Sequence, residues 1–325
     1  MTAPLLPGAA LDEEDAEMTT PPDGRAGITA DLVRRLLAEQ FPRWAALPVR
    51  PVPVDGWDNR TYRLGDTMTV RLPTAAGYVP AVDKEHEWLP RLAPSLPVAV
   101  PTVLARGEPG AGYPYPWSVR GWLPGETMLS RPVDDPVGFA VSVGEFVVAL
   151  RRCDATGGPA AGLHSFHRGG PLAHYDGETR SSLAALAGRV DTDLAIEAWE
   201  RALAAEWSGP PVWFHGDIAP GNLLVADGRL SAVLDFGTSG VGDPACDLVI
   251  AWQVFAGESR RAFLETVGDD AGTRARARGW ALWKAVLMLA ECIDRDPPQA
   301  EVNRRVLGEV LAEHRGRHGR SGRRP

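Results

Sequence analysis

A change of pattern at Pro124-Gly125 constrains the fold of this 325-residue chain more than any other feature. Before this dipeptide, short stretches of alternating apolar and polar residues are separated by turn sequences such as Gly65-Asp66. Alternation of this kind predicts antiparallel strands joined by hairpins. We therefore expect strands at about 49–54, 60–64, 68–72, 98–105 and 115–122. Two helices are also expected in this part of the chain, at about 30–41 and 81–92.

After the dipeptide, apolar residues recur at the three- and four-residue spacing of helices. One pair of strands, at about 222–225 and 230–234, interrupts helices expected at about 135–152, 180–206, 243–256, 259–267, 273–293 and 299–313. The order of elements predicts an α+β protein with a β-rich N-lobe over 28–122 and a larger helical C-lobe over 123–314.

The two ends differ from this body in composition. Residues 1–27 are rich in proline, glycine and acidic residues, and 315–325 form a basic tail with five arginines. We expect both ends to be disordered. The formal net charge of −8 is unchanged when the two ends are removed, because their charges cancel. An acidic body is typical of a protein that binds a cationic small molecule, although solubility alone also accounts for such a charge.

Composition excludes several classes of protein. A net negative charge argues against a nucleic-acid partner. The three cysteines stand far apart and without metal-ligand spacing, which argues against a disulfide scaffold or a zinc site. No apolar run approaches the length of a membrane span and no signal-peptide pattern is present, so we expect a cytoplasmic protein with no membrane partner, acting as a monomer or homodimer.

Three oxygen-bearing side chains flank the predicted strand pair. Asp217 and Asn222 stand in the segment His215-Gly216-Asp217-Ile218-Ala219-Pro220-Gly221-Asn222, and Asp235 opens Asp235-Phe236-Gly237. Oxygen ligands of this kind suit Mg²⁺ on a nucleoside triphosphate, and a further carboxylate can take the proton of an attacking hydroxyl. Asp and Asn also populate turns, but the ordered set with this spacing matches the kinase catalytic loop.

These motifs, together with Gly242-Asp243-Pro244-Ala245-Cys246-Asp247-Leu248, resemble the aminoglycoside phosphotransferase family of kinase-like small-molecule phosphotransferases, over about residues 29–313. The resemblance implies a bilobal protein-kinase-like fold. It implies that Asp217 is the catalytic base or hydroxyl-orienting carboxylate and that His215 braces the catalytic loop. Asn222, which also belongs to that loop, and Asp235 would bind Mg²⁺.

The N-lobe motifs of the family are looser in this sequence. Asn59 and its neighbours stand where the family covers the nucleotide phosphates, without a glycine-rich loop, so an ordinary hairpin turn is the alternative. Arg71 stands where the family has a strand lysine paired to a helix glutamate, here Glu85. Arg120 and Trp122 fall in the segment that resembles the nucleobase-binding hinge, although Trp122 is also typical of a core residue.

Arg71 departs from the family because a guanidinium binds phosphate as a fork and an ammonium as a point charge. Lys84 is the alternative cation, although its helical position is typical of a surface residue. Only Lys84 and Lys284 are lysines, and the other 32 of the 34 basic residues are arginine. A chain with this bias replaces lysine by arginine throughout, so we favour Arg71.

The acceptor site of the family lies in the helical lobe and is acidic when the acceptor is a polycation. The possible lining residues here are Asp176, Glu178, Glu291, Asp294, Trp280 and Trp283, each of which also fits a surface or core position. We expect an ATP- or GTP-dependent, Mg²⁺-dependent phosphotransferase acting on a hydroxyl of a cationic small molecule, an aminoglycoside-type antibiotic. The alternatives are a macrolide phosphotransferase, a metabolic kinase for choline, homoserine or a sugar, and a nucleotide-binding pseudokinase.

Overall fold

A computed structural model describes residues 24–52, 55–268 and 270–321. The expected leader therefore lies outside the described residues up to residue 23, and residues 322–325 of the expected tail lie outside them as well. The described chain forms two compact units. The first comprises residues 24–132 and 221–238, and the second comprises residues 133–220 and 239–321. The boundary between Pro220 and Gly221 falls inside the motif that contains Asp217 and Asn222.

The strands follow in chain order. Their bounds are β1 Val49–Pro51, β2 Asn59–Leu64, β3 Met68–Pro73, β4 Val103–Gly107, β5 Trp117–Gly121, β6 Glu126–Thr127, β7 Val212–Phe214, β8 Leu223–Ala226, β9 Arg229–Val233 and β10 Gly240–Gly242. The bounds of the helices are α1 Gly24–Gly27, α2 Ala30–Gln40, α3 Pro80–Leu92, α4 Pro136–Arg152, α5 Asp176–Ala185, α6 Thr192–Leu203, α7 Ile250–Gln253, α8 Gly257–Val267, α9 Ala271–Cys292 and α10 Pro297–Ser321.

The first unit is built on an antiparallel sheet with the strand order β1-β2-β3-β5-β4. The antiparallel strands and the hairpin turn predicted at Gly65-Asp66 are confirmed. Leu64 of β2 pairs with Met68 of β3 across a tight turn in which Gly65 has φ +57°. Such a φ suits glycine because it has no Cβ. Helix α2 begins after Thr29, whose hydroxyl accepts a hydrogen bond from the Leu32 N–H, and its apolar face packs on the sheet.

Residues 221–238 belong to the first unit through strand pairing. Strands β6, β8 and β9 form a three-stranded antiparallel sheet. The Ala99 N–H donates to the Ser231 carbonyl (3.3 Å), and the Val233 N–H donates to the Ala99 carbonyl (3.0 Å). These bonds hold the end of β9, and with it the Asp235-Phe236-Gly237 motif, against the N-terminal residues of the unit.

The second unit is helical around α9. This helix is buried on nearly all sides and packs against α5, α6 and α10, which is the behaviour of a core helix. Short strands β7 and β10 pair antiparallel, with Phe214 opposite Gly240, and were not predicted. The predicted α+β class is confirmed. No helix in the described residues is long and apolar enough to cross a membrane.

Three predicted helices differ from the structure. The helix expected at 180–206 is instead α5 and α6, because Gly188 adopts φ +74° and Asp191 caps a new helix. The helix expected at 243–256 is a 3₁₀ segment, Pro244–Val249, followed by α7. Helix α10 continues to Ser321, so the tail expected to be disordered from residue 315 is helical over its described part, and Arg315 pairs with Asp191 (2.5 Å).

Candidate active site

The segment that carries Asp217 follows buried strand β7 in the second unit. Gly216 turns the chain with φ +85°, a conformation that favours glycine. The buried carboxylate of Asp247 accepts hydrogen bonds from the backbone N–H groups of His215 (2.9 Å) and Gly216 (2.7 Å). Burial raises the pKa of Asp247 above its usual value, and these two hydrogen bonds oppose that rise. Asp247 therefore fixes the backbone just before Asp217.

His215 is fully buried beneath the same turn. Its Nδ1 accepts a hydrogen bond from the Asp217 N–H at 3.2 Å. The imidazole thus contacts the backbone of the loop, in the position that a bracing residue would occupy.

Asp217 itself forms an ion pair that the sequence did not predict. Lys284, on α9, places its Nζ 3.1 Å from Oδ1 of Asp217. Burial would raise the pKa of Asp217, but Lys284 and then Arg168 outweigh this effect and hold it below its usual value. The carboxylate is therefore ionised at neutral pH. The one sequence signal for Lys284 was its residue type, since lysine occurs only twice in a chain with 32 arginines.

Asp217 and Lys284 line an open cleft in the second unit. Trp280 and Trp283 also line it, and their rings meet edge to face with centroids 5.6 Å apart. Behind them, the ring centroid of Tyr175 lies 4.2 Å from that of Trp283. The other lining residues are Arg168, Gly216, Ile218, Cys246, Val249 and Gln253. The cleft therefore combines an ionised carboxylate and a lysine with aromatic side chains that are themselves almost completely buried.

The two tryptophans predicted at an acceptor site do line this cleft, whereas none of the predicted acids belongs to its lining. Arg189 holds Asp294 by two hydrogen bonds (2.8 and 2.6 Å), and Asp176 accepts from Arg180 Nε (2.8 Å). Glu178 accepts from the Trp283 indole N–H (2.6 Å), and burial raises its pKa. Burial likewise raises the pKa of Glu291.

A buried charge cluster forms the second group of site residues, in the first unit. Arg71 on β3 lies 3.1 Å from the Asp235 carboxylate and 3.8 Å from Glu85, measured between side-chain N and O atoms. Burial disfavours the charged guanidinium, but the neighbouring carboxylates outweigh it and raise the pKa of Arg71. The predicted partnership of Arg71 with Glu85 is therefore present as a buried contact.

Glu85 joins this cluster to the backbone of the Asp235 motif. Its carboxylate accepts from the Phe236 N–H (3.1 Å) and from the buried guanidinium of Arg120. Arg120 and Arg71 lower the pKa of Glu85 against the effect of burial. The side chain of Arg120 is thus committed to Glu85. Lys84, whose pKa burial lowers to about 8, lies on the same helix.

Asp58 completes the cluster and was not predicted as a site residue. Burial and the neighbouring Asp235 raise the pKa of Asp58 to about 7, although Arg71 lies 4.0 Å away. Asn59, the first residue of β2, is buried next to Asp58 in sequence and lowers its pKa. Glu85 is already held by Arg120, which leaves Arg71 between Asp58 and Asp235. Lys84, expected at the surface, is buried instead, and Glu85 and Asp235 favour its charged form.

The turn before β2 is held in shape by Asp55. Its carboxylate accepts from the Thr61 N–H (2.9 Å) and from Arg60 Nη1 (2.8 Å), and Arg25 of α1 donates to the carbonyls of Gly56 and Trp57. Arg60, which follows Asn59 in the segment expected to cover the phosphates, is part of this internal support.

Trp122, predicted at the nucleobase-binding hinge, is only partly buried. Its ring lies under the guanidinium of Arg63, with 3.7 Å between the guanidinium carbon and the ring centroid. The Trp122 backbone N–H donates to the Thr67 carbonyl at 2.8 Å. At this end of the five-stranded sheet, the Arg63 guanidinium therefore covers one face of the Trp122 ring.

The residues predicted to hold Mg²⁺ meet at the end of the β8–β9 hairpin. The Leu234 N–H donates to the Asn222 carbonyl (2.8 Å), which brings the residue before Asp235 beside Asn222, and Asp235 adopts φ +64°. No group of three or more histidine, cysteine or acidic side chains in the described residues forms a metal site of its own. The oxygen donors of an asparagine and an aspartate fit Mg²⁺, which takes its remaining ligands from water and phosphates.

Comparisons with known proteins identify the family and the fold. The model of the phosphotransferase enzyme family, APH, matches residues 49–282, and the chain belongs to this family. The uncharacterized protein YcbJ of Bacillus subtilis is 35% identical over 85 residues, but the match covers only 25% of this chain and 28% of YcbJ.

Solved structures of the same fold include a GDP and kanamycin complex of APH(2″)-IIIa, with a TM-score of 0.66 and 19% identity over 86% of this chain and 98% of that one. The macrolide 2′-phosphotransferase MphH of Brachybacterium faecium has a TM-score of 0.55 and 26% identity over 86% and 97% of the two chains. The kinase-like fold predicted from the sequence is thereby confirmed.

Proposed function

We propose that this chain is a Mg²⁺-dependent phosphotransferase that moves the γ-phosphoryl group of ATP or GTP to a hydroxyl group of a small molecule. The observation that carries the proposal is the Asp217 carboxylate, which is held ionised by Lys284 and lines an open cleft. Membership of the phosphotransferase family supports the reaction type.

Asp217 has the properties that the acceptor side of this reaction needs. Its carboxylate keeps 35% of its surface exposed in the cleft, where it can orient an acceptor hydroxyl and receive its proton. The paired hydrogen bonds of Asp247 to the preceding backbone and the bond to His215 hold it in place. Positioning of this kind supplies much of the rate in phosphoryl transfer, because the group transferred needs little covalent assistance.

The cluster around Arg71 has the properties that the donor side needs. In the proposal, Arg71 binds phosphate oxygens as a fork, and Glu85 and Arg120 fix its direction. Asn222 and Asp235 hold Mg²⁺, which neutralises charge on the phosphates when it is bound. A cation that enters the cluster would lower the pKa of Asp58 from its value of about 7 and so favour its ionised form.

Two variants separate the two halves of the proposal. Asp217→Asn should bind Mg²⁺-nucleotide like the wild type, measured by calorimetry with ATP and GTP, and lose phosphoryl transfer to acceptors by at least about 100-fold. Asp235→Asn should lose Mg²⁺-dependent nucleotide binding. Asp227→Asn, on an exposed turn with φ +50°, is the matched control and should change neither. Full transfer by both site variants would refute the proposal.

The charge of the cleft bears on the acceptor. The acids expected to receive a polycationic aminoglycoside do not line it, and its lining instead contains two cationic side chains, Arg168 and Lys284. The structural relatives include a kanamycin complex and a macrolide 2′-phosphotransferase, and neither compound is assigned to this chain as its acceptor. The acceptor in the proposal is therefore a small hydroxylated compound that is not a polycation.

A further inference from the structure

Arg168 lines the cleft and forms no ion pair among the described residues, although its charge lowers the pKa values of Asp217 and Glu178 from a distance. Its relative exposure is only 6%, and no carboxylate lies within ion-pair distance of its guanidinium among the described residues. Its single side-chain hydrogen bond runs from Nη1 to the Phe166 carbonyl at 3.3 Å. A buried guanidinium without an anion is costly, so its presence requires an explanation.

The guanidinium is held firmly in its place. It lies over the Trp283 ring at 5.3 Å from the centroid. The backbone before it is pinned, since Ser165 Oγ donates to the Arg168 carbonyl (2.9 Å) and Tyr175 OH donates to the Phe166 carbonyl (2.6 Å). Phe166 and His167 both adopt left-handed backbone angles, φ +48° and +53°, which non-glycine residues rarely adopt in succession. Strain retained beside a ligand cleft is typical of a functional position.

The cleft offers more donors than acceptors. Lys284 and Asp217 neutralise each other, whereas Arg168 keeps its Nε and Nη2 donors without a partner in the described residues. The Trp280 indole N–H is buried and has no acceptor among the described residues either. Glu178, whose pKa Arg168 lowers, is committed to the Trp283 indole. An oxyanion would satisfy the unpartnered edge of Arg168 by the two-point geometry that guanidinium favours.

We propose that Arg168 is an anion-binding subsite for the acceptor, and that the acceptor is a hydroxylated compound that carries a carboxylate. The carboxylate binds the guanidinium of Arg168, and the hydroxyl points to Asp217. This inference rests on the proposed function, because it assigns the acceptor of that same cleft. Phosphate on the donor nucleotide presents the same oxyanion chemistry, and the experiment distinguishes the two sources.

Binding of matched probes tests the subsite without catalysis. Benzoate and benzamide have the same shape, and only the first is an anion. With wild-type protein, calorimetry should give benzoate at least about tenfold tighter binding than benzamide. Arg168→Gln should abolish this preference, and Arg168→Lys should keep part of it, while Arg261→Gln, an exposed arginine on α8, should leave it unchanged. Equal binding of the two probes to the wild type would overturn the subsite.

Transfer of the phosphoryl group completes the test. Acceptors 4-(hydroxymethyl)benzoate and 4-(hydroxymethyl)benzamide are incubated with Mg²⁺ and ATP or GTP, and products are detected by mass. A preference of at least about tenfold in kcat/KM for the carboxylate, lost in Arg168→Gln, is expected. If Arg168→Gln weakens nucleotide binding and spares the preference, Arg168 serves the donor phosphate and the inference is wrong. Equal transfer to the carboxylate and the amide also refutes the Arg168 subsite, but it leaves the proposed function standing. The proposed function itself is refuted if no alcohol in a broad panel is phosphorylated.

Discussion

Replacing Lys284 by methionine removes the cation beside Asp217 and keeps most of the side-chain volume. In the wild type the Nζ to Oδ1 distance is 3.1 Å, and Lys284 is the largest of the effects that lower the pKa of Asp217. Burial of the carboxylate, which raises its pKa, is unchanged by the substitution. The pKa of Asp217 is therefore expected to rise in the Lys284→Met protein.

The size of the rise follows from the geometry. Two unit charges 4 Å apart near a protein surface interact by about 4 kcal/mol. Asp217 keeps 35% of its surface exposed, so solvent screens the pair, and we take a contribution of about 1.5 kcal/mol, between that figure and the value for exposed pairs. This corresponds to about one unit of pKa. Since only the ionised carboxylate can receive the acceptor proton, activity is lost as the pH falls through this pKa.

The assay is the pH dependence of kcat for phosphoryl transfer, with product detected by mass. The acidic limb should lie about one pH unit higher in Lys284→Met than in the wild type. Lys284→Arg keeps the charge and should leave the limb near its wild-type position. Thermal unfolding at neutral pH checks that the variants fold. An acidic limb that does not move in Lys284→Met would refute the assignment of Lys284 as the group that keeps Asp217 ionised.

Three further predictions concern the donor cluster and the loop. Arg71→Lys should bind Mg²⁺-nucleotide within about tenfold of the wild type, whereas Arg71→Ala should lose more than that; equal affinities by calorimetry would exclude Arg71 from phosphate binding. Asp247→Asn leaves one buried backbone N–H without its acceptor and should lower the free energy of unfolding by about 1–3 kcal/mol in urea titrations, with a fall in kcat; unchanged stability would contradict the role given to Asp247. In Gly169→Ala, at φ +75°, the new Cβ would lie 2.0 Å from the Phe214 ring, and calorimetry should show a loss of about 3 kcal/mol or more, with Gly177→Ala, where no atom lies within 4 Å, as the tolerated control.

Local patterns made the N-terminal sheet predictable. The turn at Gly65 and the alternation on either side of it determine β2 and β3 without help from distant residues. Strands β7 and β10 have only three residues each, and the last residue of β7, Phe214, is 26 positions before the first residue of β10, Gly240. Pairing of that kind depends on the surrounding helices, so the sequence showed no sign of it.

The same distinction applies to the site. Asp217, Asn222 and Asp235 were recognised because their spacing is local, whereas the partners that tune them come from far along the chain. Lys284 is 67 residues from Asp217, and Arg71 is 164 residues from Asp235. The acids expected at an acceptor site have distant partners as well: the charge of Asp294 is taken up by Arg189, which lies 105 positions away. No local pattern reveals that such an acid already has a partner.

Transfer of phosphate by the wild type and by Asp217→Asn tests the central claim most directly. Each protein is incubated with Mg²⁺, ATP or GTP and a panel of small alcohols that includes hydroxy acids, and products are identified by the mass gain of one phosphoryl group. We predict at least one phosphorylated alcohol for the wild type, its loss in Asp217→Asn, and undiminished nucleotide binding by that variant. A variant that transfers phosphate as fast as the wild type would contradict the account.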